Sequence, residues 1–281
     1  MIRPAIAIIV VVLTVLTARP LFAQLDISGE WVNLRTQEEE QQEVGDYTGL
    51  AINESARRRA DSWTASLQTL PEHQCQPHGA DGIHNFGNMR IWKEMDPLTQ
   101  KLVAYHLIVA WMTPHRIIYM DGRPHPPDYA AHTFQGFSTG RWEGNTLTVT
   151  TTHLKADWLR RNGVPRSEQA TLSERFTRHG DYLVWVIMVN DPAYLTAPYV
   201  RSVAWLLDPT LPPFPPYPCD IAEEVDRPAG QVPHYLPGTN PSLTEFTSRY
   251  GIPPEAGRGG EETMYPEYLL KLRQLSQGTR K

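Results

Sequence analysis

The sequence QATLSERFTRHGDYLVWVIMVN, residues 169–190, decides the fold. It contains two runs rich in β-branched and aromatic residues, and the turn His179-Gly180-Asp181 between them is typical of a tight hairpin. Similar runs follow one another from Met89 to Asp208, with a second hairpin turn at Glu143-Gly144-Asn145. We predict strands at 89–95, 101–112, 115–121, 134–143, 146–154, 169–178, 182–190 and 199–207.

The short connections between these runs predict antiparallel pairing of consecutive strands. About eight such strands avoid free edges by closing on themselves. We therefore predict an all-β, mainly antiparallel fold, an up-and-down barrel over residues 89–208 with a few short helices outside it. A two-sheet β-sandwich is the alternative.

The segments on either side of the strands have a different composition. Residues 24–88 are predicted to form a short strand, a helix and a loop. Residues 209–281 are rich in proline, which fixes φ and cannot donate to a β-ladder. Because this segment also carries several aromatic residues, we predict an ordered C-terminal strap on the barrel.

Residues 1–23 have the pattern of a secretory signal peptide. Arg3 precedes an apolar run at 5–16, and small residues lead to a cleavage site after Ala23. This run is shorter than the roughly 20 apolar residues of a membrane-spanning helix. We predict a periplasmic or secreted product with no membrane span after cleavage.

Export affects the interpretation of Cys75 and Cys219, the two cysteines of the sequence. In an oxidising compartment two thiols usually pair, so we predict a structural disulfide between them. A catalytic thiol or a metal site is the alternative, but neither cysteine has partners at the usual ligand spacing.

The overall charge and the motifs exclude several functional classes. The chain has 281 residues, with 26 Lys and Arg against 31 Asp and Glu, which gives no basic surface for nucleic acid. It contains no Gly-rich phosphate loop, nucleophile elbow or Rossmann fingerprint. We predict no cofactor, no metal and no nucleic-acid partner.

Three ionisable residues share strand phases with apolar residues. His106 alternates with apolar residues of 102–112, His153 is in phase with Leu147, and Glu174 lies between two apolar neighbours. Burial of such groups is costly unless they are paired, so they are candidate catalytic acids or bases. The structural alternative is a satisfied core histidine for each imidazole, and pairing of Glu174 with a nearby arginine such as Arg141.

A polar cluster surrounds the turn at 121–127. Its members are Arg116, Tyr119, Asp121, Arg123, His125 and His132. We predict that this turn lies at the mouth of the barrel and orients a polar group of a ligand, with Arg141 nearby. A rigid turn without a ligand is an equally good interpretation. The tryptophans predicted to line the interior are Trp92, Trp111, Trp185 and Trp205.

Two of these stretches, RIIYMDGRPH (116–125) and GRWEGNTL (140–147), resemble a large family of exported proteins of environmental bacteria. That family carries R-x-I-Y-x-D-G-R-x-H, then G-H-S-x-G-R-W-E-G-D-T-L-V-V. Its later E-R-F strand and D-P corner look like 174–176 and 191–192 here, and its C-x-P-x-G looks like 75–79. The resemblance covers roughly residues 72–200. It implies a calycin-like or lipocalin-like barrel and export, but no particular reaction; Phe137 stands where the family motif has histidine.

Three functions follow from these observations. The leading prediction is an exported barrel that binds a hydrophobic small molecule in its interior. The second is a lyase, isomerase or hydrolase that uses Glu174 with His153 or His106 in the same pocket. The third is a protein-interaction module that uses the strap.

Overall fold

The computed structural model of the protein describes residues 26–34, 43–82, 87–212, 214–223 and 225–278. The predicted signal peptide lies outside the described residues. Within this part of the chain, no helix has the length and apolar character needed to cross a membrane.

The strands are numbered in chain order. They are β1 Gly29–Leu34, β2 Met89–Met95, β3 Leu102–Val109, β4 His115–Tyr119, β5 Phe137–Glu143, β6 Thr146–Thr152, β7 Asp157–Trp158, β8 Pro165–Arg166, β9 Thr171–His179, β10 Tyr182–Asn190 and β11 Tyr199–Leu207. Nine of the described strands close a barrel in the order β1-β11-β10-β9-β6-β5-β4-β3-β2, while β7 and β8 form a separate ribbon. The predicted all-β barrel is confirmed.

The pairing departs from a simple up-and-down order at one place. β4 and β5 are parallel, with Ile118 beside Ser138 and Tyr119 beside Thr139. Parallel neighbours need a crossover connection, and residues 120–136 form it. Several prolines within 120–136 prevent a tight hairpin there, because proline cannot donate to a ladder. This crossover loop is the feature that brings the predicted turn cluster onto the barrel.

The interior of the barrel is a packed core. Alternating residues point inward, such as Leu147, Val149 and Thr151 of β6. The largest inward side chains are all buried: Trp31, Met89, Tyr105, Phe176, Trp185 and Trp205. A barrel of about eight strands has an interior that side chains can fill or that can hold one small ligand. Here large buried side chains occupy the interior, and binding of a ligand there stays a prediction.

The phase of β3 differs from the predicted one. Tyr105, Leu107 and Val109 are the buried inward residues, and His106 points to the outside of the barrel. Both phases of this strand are largely apolar, so the pattern alone does not choose between them. The ladder with β2 sets the phase, because it pairs Leu107 with the buried Ile91.

The segments outside the barrel pack against each other. Helix α1, Glu54–Asp61, precedes a 3₁₀ turn, and the strap contains α2 Glu245–Tyr250, α3 Pro254–Gly257 and α4 Glu267–Gly278. The Tyr235 amide donates to the Ser62 carbonyl (2.9 Å), and the side-chain amide of Asn240 donates to the Asp61 carbonyl (2.8 Å). These bonds attach the strap to the C-terminal end of α1.

The predicted disulfide joins Cys75 to Cys219. Close to it in sequence, Gly79 donates its amide hydrogen to Asp157, and Arg166 pairs with Asp81 at 3.0 Å. Burial, followed by the negative charge of Asp81, raises the pKa of Asp157 to about 6, and Arg166 opposes this rise. This buried cluster holds the loop that follows the disulfide against the β7–β8 ribbon.

Candidate functional site

The predicted acid–base residue Glu174 is part of a buried ion pair. Both of its carboxylate oxygens accept hydrogen bonds from the guanidinium of Arg116, one of them at 2.9 Å. The indole of Trp185 and the hydroxyl of Thr151 donate to the same carboxylate at 3.1 Å. Each carboxylate oxygen thus accepts two hydrogen bonds, so no lone pair is directed at a substrate. The geometry therefore argues against Glu174 as a catalytic base.

Two residues predicted to bind ligand, Arg116 and Trp185, instead donate hydrogen bonds to Glu174. Arg116 points into the barrel from β4 and is fully buried, where Ser138 also accepts from it. Trp185 is fully buried beside it. Both side chains are therefore parts of the core.

Two other predicted ligand residues lie apart from this pair. Trp111 lies beyond the end of β3, is 48% exposed and packs on Tyr217 of the strap, with ring centroids 5.1 Å apart. Arg141 is exposed and pairs with Glu143 two residues along its own strand. Neither belongs to a common site with the residues above.

His153 also has partners other than Glu174. Strand β6 ends at Thr152, and His153 takes a left-handed conformation with φ 57°, which turns it out of the sheet. One ring nitrogen lies 2.7 Å from the Thr152 hydroxyl, and the other lies 3.0 Å from the Pro127 carbonyl. His153 was predicted to act with Glu174 in one pocket, but its ring nitrogens contact Thr152 and the crossover loop instead.

His125 completes a line of hydrogen bonds with His153. Its ring nitrogens lie 2.7 Å from the Thr152 hydroxyl and 2.8 Å from the Thr139 hydroxyl. Burial, followed by the charge of His153, lowers the pKa of His125, so its neutral form is favoured. Because both nitrogens of His125 and His153 are already hydrogen-bonded, these histidines fix the loop rather than face a substrate. His132 has the same kind of role, bonding the Leu154 carbonyl at 2.9 Å.

The remaining members of the turn cluster lie on the outer face of the barrel. Asp121 holds the guanidinium of Arg123 (Nε to Oδ1 2.9 Å), and this group lies 3.8 Å from the centroid of the Tyr119 ring. Phe137 contacts both Tyr119 and His125, with ring centroids 5.1 and 5.3 Å apart. A histidine at this position, as in the resembled motif, would therefore lie beside His125.

A second line of ionisable groups crosses the outer faces of β2, β3 and β4. Glu94 Oε2 lies 2.8 Å from His106 Nε2, and His106 Nδ1 lies 2.8 Å from His115 Nε2. Trp92 lies beside both imidazoles, nearly parallel to them, at centroid distances of 5.1 and 5.5 Å. We name Glu94, His106 and His115 the outer relay. It gives His106 a carboxylate partner, but this partner is Glu94 and not Glu174.

The partners determine where the protons of the relay lie when both histidines are neutral. A carboxylate only accepts, so His106 carries its proton on Nε2 and its Nδ1 accepts from Nε2–H of His115. The lone pair of His115 is then on Nδ1. Within the described residues, the structure records no hydrogen-bond partner for this nitrogen.

The electrostatics of the relay favour a neutral His115. Burial, followed by repulsion from the charge of His106, lowers the pKa of His115 below its usual 6.5. His115 is nevertheless exposed, whereas the side chain of His106 is 13% exposed. The relay thus ends in an unprotonated, accessible imidazole. Nothing in these contacts indicates a metal: among the described residues, no group of three or more His, Cys, Asp or Glu side chains is arranged to hold an ion.

Sequence reasoning missed two of the three relay members. His115 and Glu94 each lie on a strand that was correctly located, but only the register brings them to His106. The available signal was the phase of Trp92 and Glu94, which lie on the opposite side of β2 from the buried Ile91. Comparisons with protein-family models, with curated proteins and with solved structures give no match.

Proposed function

We propose that this protein is an exported β-barrel with an acid–base site on its outer surface. In the proposal His115 is the base or nucleophile, His106 is its hydrogen-bond partner and Glu94 orients His106. The observation that carries the proposal is the hydrogen-bonded outer relay with an accessible nitrogen at its His115 end. The disulfide supports export, because such bonds persist mainly in oxidising compartments.

The relay follows the physical logic of a catalytic triad. When His115 Nδ1 takes a proton or attacks an electrophile, positive charge develops on its ring. His106 accepts the hydrogen bond from that ring, and Glu94 stabilises the resulting charge through His106. Trp92 supplies a flat apolar surface beside the His115 ring, which suits a small, planar or ring-shaped substrate. Among the reactions considered from the sequence, hydrolysis fits this arrangement best.

The other two predicted functions have less support. A hydrophobic ligand inside the barrel would have to displace fully buried residues such as Trp31 and Trp205. A partner-binding strap would need to be free to adapt, whereas the disulfide and the bond from Tyr235 to Ser62 attach it. Membership of the resembled family remains a proposal and adds export and a barrel, but no reaction.

The test uses p-nitrophenyl acetate, a small activated ester with a planar leaving group. We expect the wild-type protein to hydrolyse it faster than buffer, and His115→Gln to lose at least about tenfold of that excess rate. The control is His179→Gln, which removes an exposed hairpin histidine and should leave the rate unchanged. The rates are measured by nitrophenolate absorbance.

The pH profile adds a second readout. The unprotonated ring is the reactive form, and the pKa of His115 is lowered, so activity should persist down to below pH 6.5 and be lost at more acidic pH. The proposal is wrong if His115→Gln retains the wild-type rate, or if both glutamine variants lower it equally.

A further inference from the structure

Helix α1 and the strap enclose a groove outside the barrel. One wall is the exposed side of the helix, and the other is the strap segment 234–237. The groove has a volume of about 520 Å³, which is within the range of small-molecule sites. The bond between the Tyr235 amide and the Ser62 carbonyl (2.9 Å) holds the two walls together, so the groove is preformed.

The helix wall is cationic. Arg58 and Arg59 both line the groove, together with Glu54. Glu54 pairs with Arg58 (3.1 Å), and the two charges largely cancel. Arg59 lies 5.6 Å from the centroid of the Tyr194 ring, a contact that orients the guanidinium without neutralising it. Within the described residues no carboxylate pairs with Arg59, so the groove carries one uncompensated positive charge.

The strap wall is largely apolar. Tyr235, Leu236 and Pro237 line it, and Leu236 is 64% exposed. The bond to Ser62 keeps this wall close to the helix, and a turn begins at Leu236, whose carbonyl accepts from the Thr239 amide (3.0 Å). Such a surface lets an apolar group leave water without rearranging the protein. The two walls therefore offer a cation and an apolar face in one small groove.

We propose that this groove binds a small amphipathic carboxylate, with the acid at Arg59 and the apolar part on Leu236 and Pro237. A guanidinium can donate two parallel N–H hydrogen bonds to one carboxylate, and this paired geometry makes a carboxylate the favoured anion for Arg59. The proposal does not depend on the outer relay. The sequence predicted that an apolar molecule binds in the interior of the barrel, whereas this groove would bind one outside it.

The test is isothermal titration calorimetry of the full oxidised chain with decanoate, below its micelle concentration. Decyltrimethylammonium, which has the same chain and the opposite charge, is the matched probe. We expect decanoate to bind and the cation to bind at least roughly tenfold more weakly. Arg59→Gln should weaken decanoate binding by roughly tenfold, and Leu236→Ser should weaken both probes. Arg141→Gln, an exposed arginine on the barrel, should change neither.

Glu54→Gln provides a gain-of-affinity arm. It removes the negative charge beside Arg58, so decanoate should bind several-fold more tightly. Equal binding of the two probes, or decanoate affinity unchanged by both Arg59→Gln and Leu236→Ser, would overturn the proposal. Circular dichroism of each variant checks that the fold is retained. Each groove variant is also assayed for hydrolysis of p-nitrophenyl acetate, which should stay at the wild-type rate because the groove is independent of the outer relay.

Discussion

Replacement of Glu174 by glutamine is expected to lower the free energy of unfolding by about 3–5 kcal/mol. The substitution keeps the size of the side chain but leaves the buried guanidinium of Arg116 without its counter-charge. Neither side chain of the pair is exposed to water, so solvent cannot compensate. Urea unfolding followed by circular dichroism measures the loss, with the disulfide intact in every variant.

The double variant Arg116→Met, Glu174→Leu tests whether the stability lost in Glu174→Gln comes from the unpaired charge of Arg116. It removes both charges together, so most of the stability lost in Glu174→Gln should return. Ser138 and Thr151, which both bond the guanidinium, are already hydrogen-bonded to each other at 2.9 Å and keep this partner in the double variant. Glu168→Gln, at an exposed position, is the control and should change stability by less than about 0.5 kcal/mol. A loss below about 1 kcal/mol in Glu174→Gln would contradict a desolvated ion pair.

Loss of the disulfide should have an effect of similar size. Cys75 and Cys219 are separated by 144 residues, and a loop of this length restricts the unfolded chain strongly. The double substitution Cys75→Ser, Cys219→Ser should therefore cost about 3–5 kcal/mol. The start of the strap should also be released. The side chain of Gln74 donates to the Ala222 carbonyl (2.7 Å) beside the bridge, and this contact should weaken when the bridge is lost.

The measurement is urea unfolding combined with limited proteolysis. Oxidised wild-type protein should resist cleavage near Ala222, whereas the double variant and dithiothreitol-treated wild type should be cut there early. Agreement between the variant and the reduced wild type excludes an effect of the serines themselves. If the variant is as stable and as resistant as the oxidised protein, the strap is held by its other contacts and the bridge contributes little.

Most of the architecture was predictable because strand patterns and hairpin turns are local signals. The runs at 182–190 and 199–207 coincide with β10 and β11, and the turn at Gly180 separates β9 from β10 as predicted. The parallel pair β4–β5 was not predictable in this way. Its crossover depends on how the loop 120–136 lies on the barrel, which no local pattern encodes.

The candidate site was less predictable because it depends on strand phase and register. His106 was identified as unusual, but both faces of its strand are apolar and the wrong one was assigned to the core. Glu174 was correctly identified as buried, whereas its partner Arg116 is 58 residues away in sequence. A pairing over that separation depends on the closed barrel. Glu94 and His115 lie only 12 and 9 residues from His106, and the register of β2, β3 and β4 brings them to it.

His115 is the open end of the outer relay, whereas both ring nitrogens of His125 and of His153 are hydrogen-bonded. Diethyl pyrocarbonate modifies unprotonated, accessible imidazole nitrogens, and peptide mass spectrometry gives the rate for each histidine. We predict that at neutral pH His115 reacts faster than His125 and His153, and that Glu94→Gln slows it several-fold without changing His179. Faster reaction of His125 or His153 than of His115, or a His115 rate unaffected by Glu94→Gln, would contradict the account.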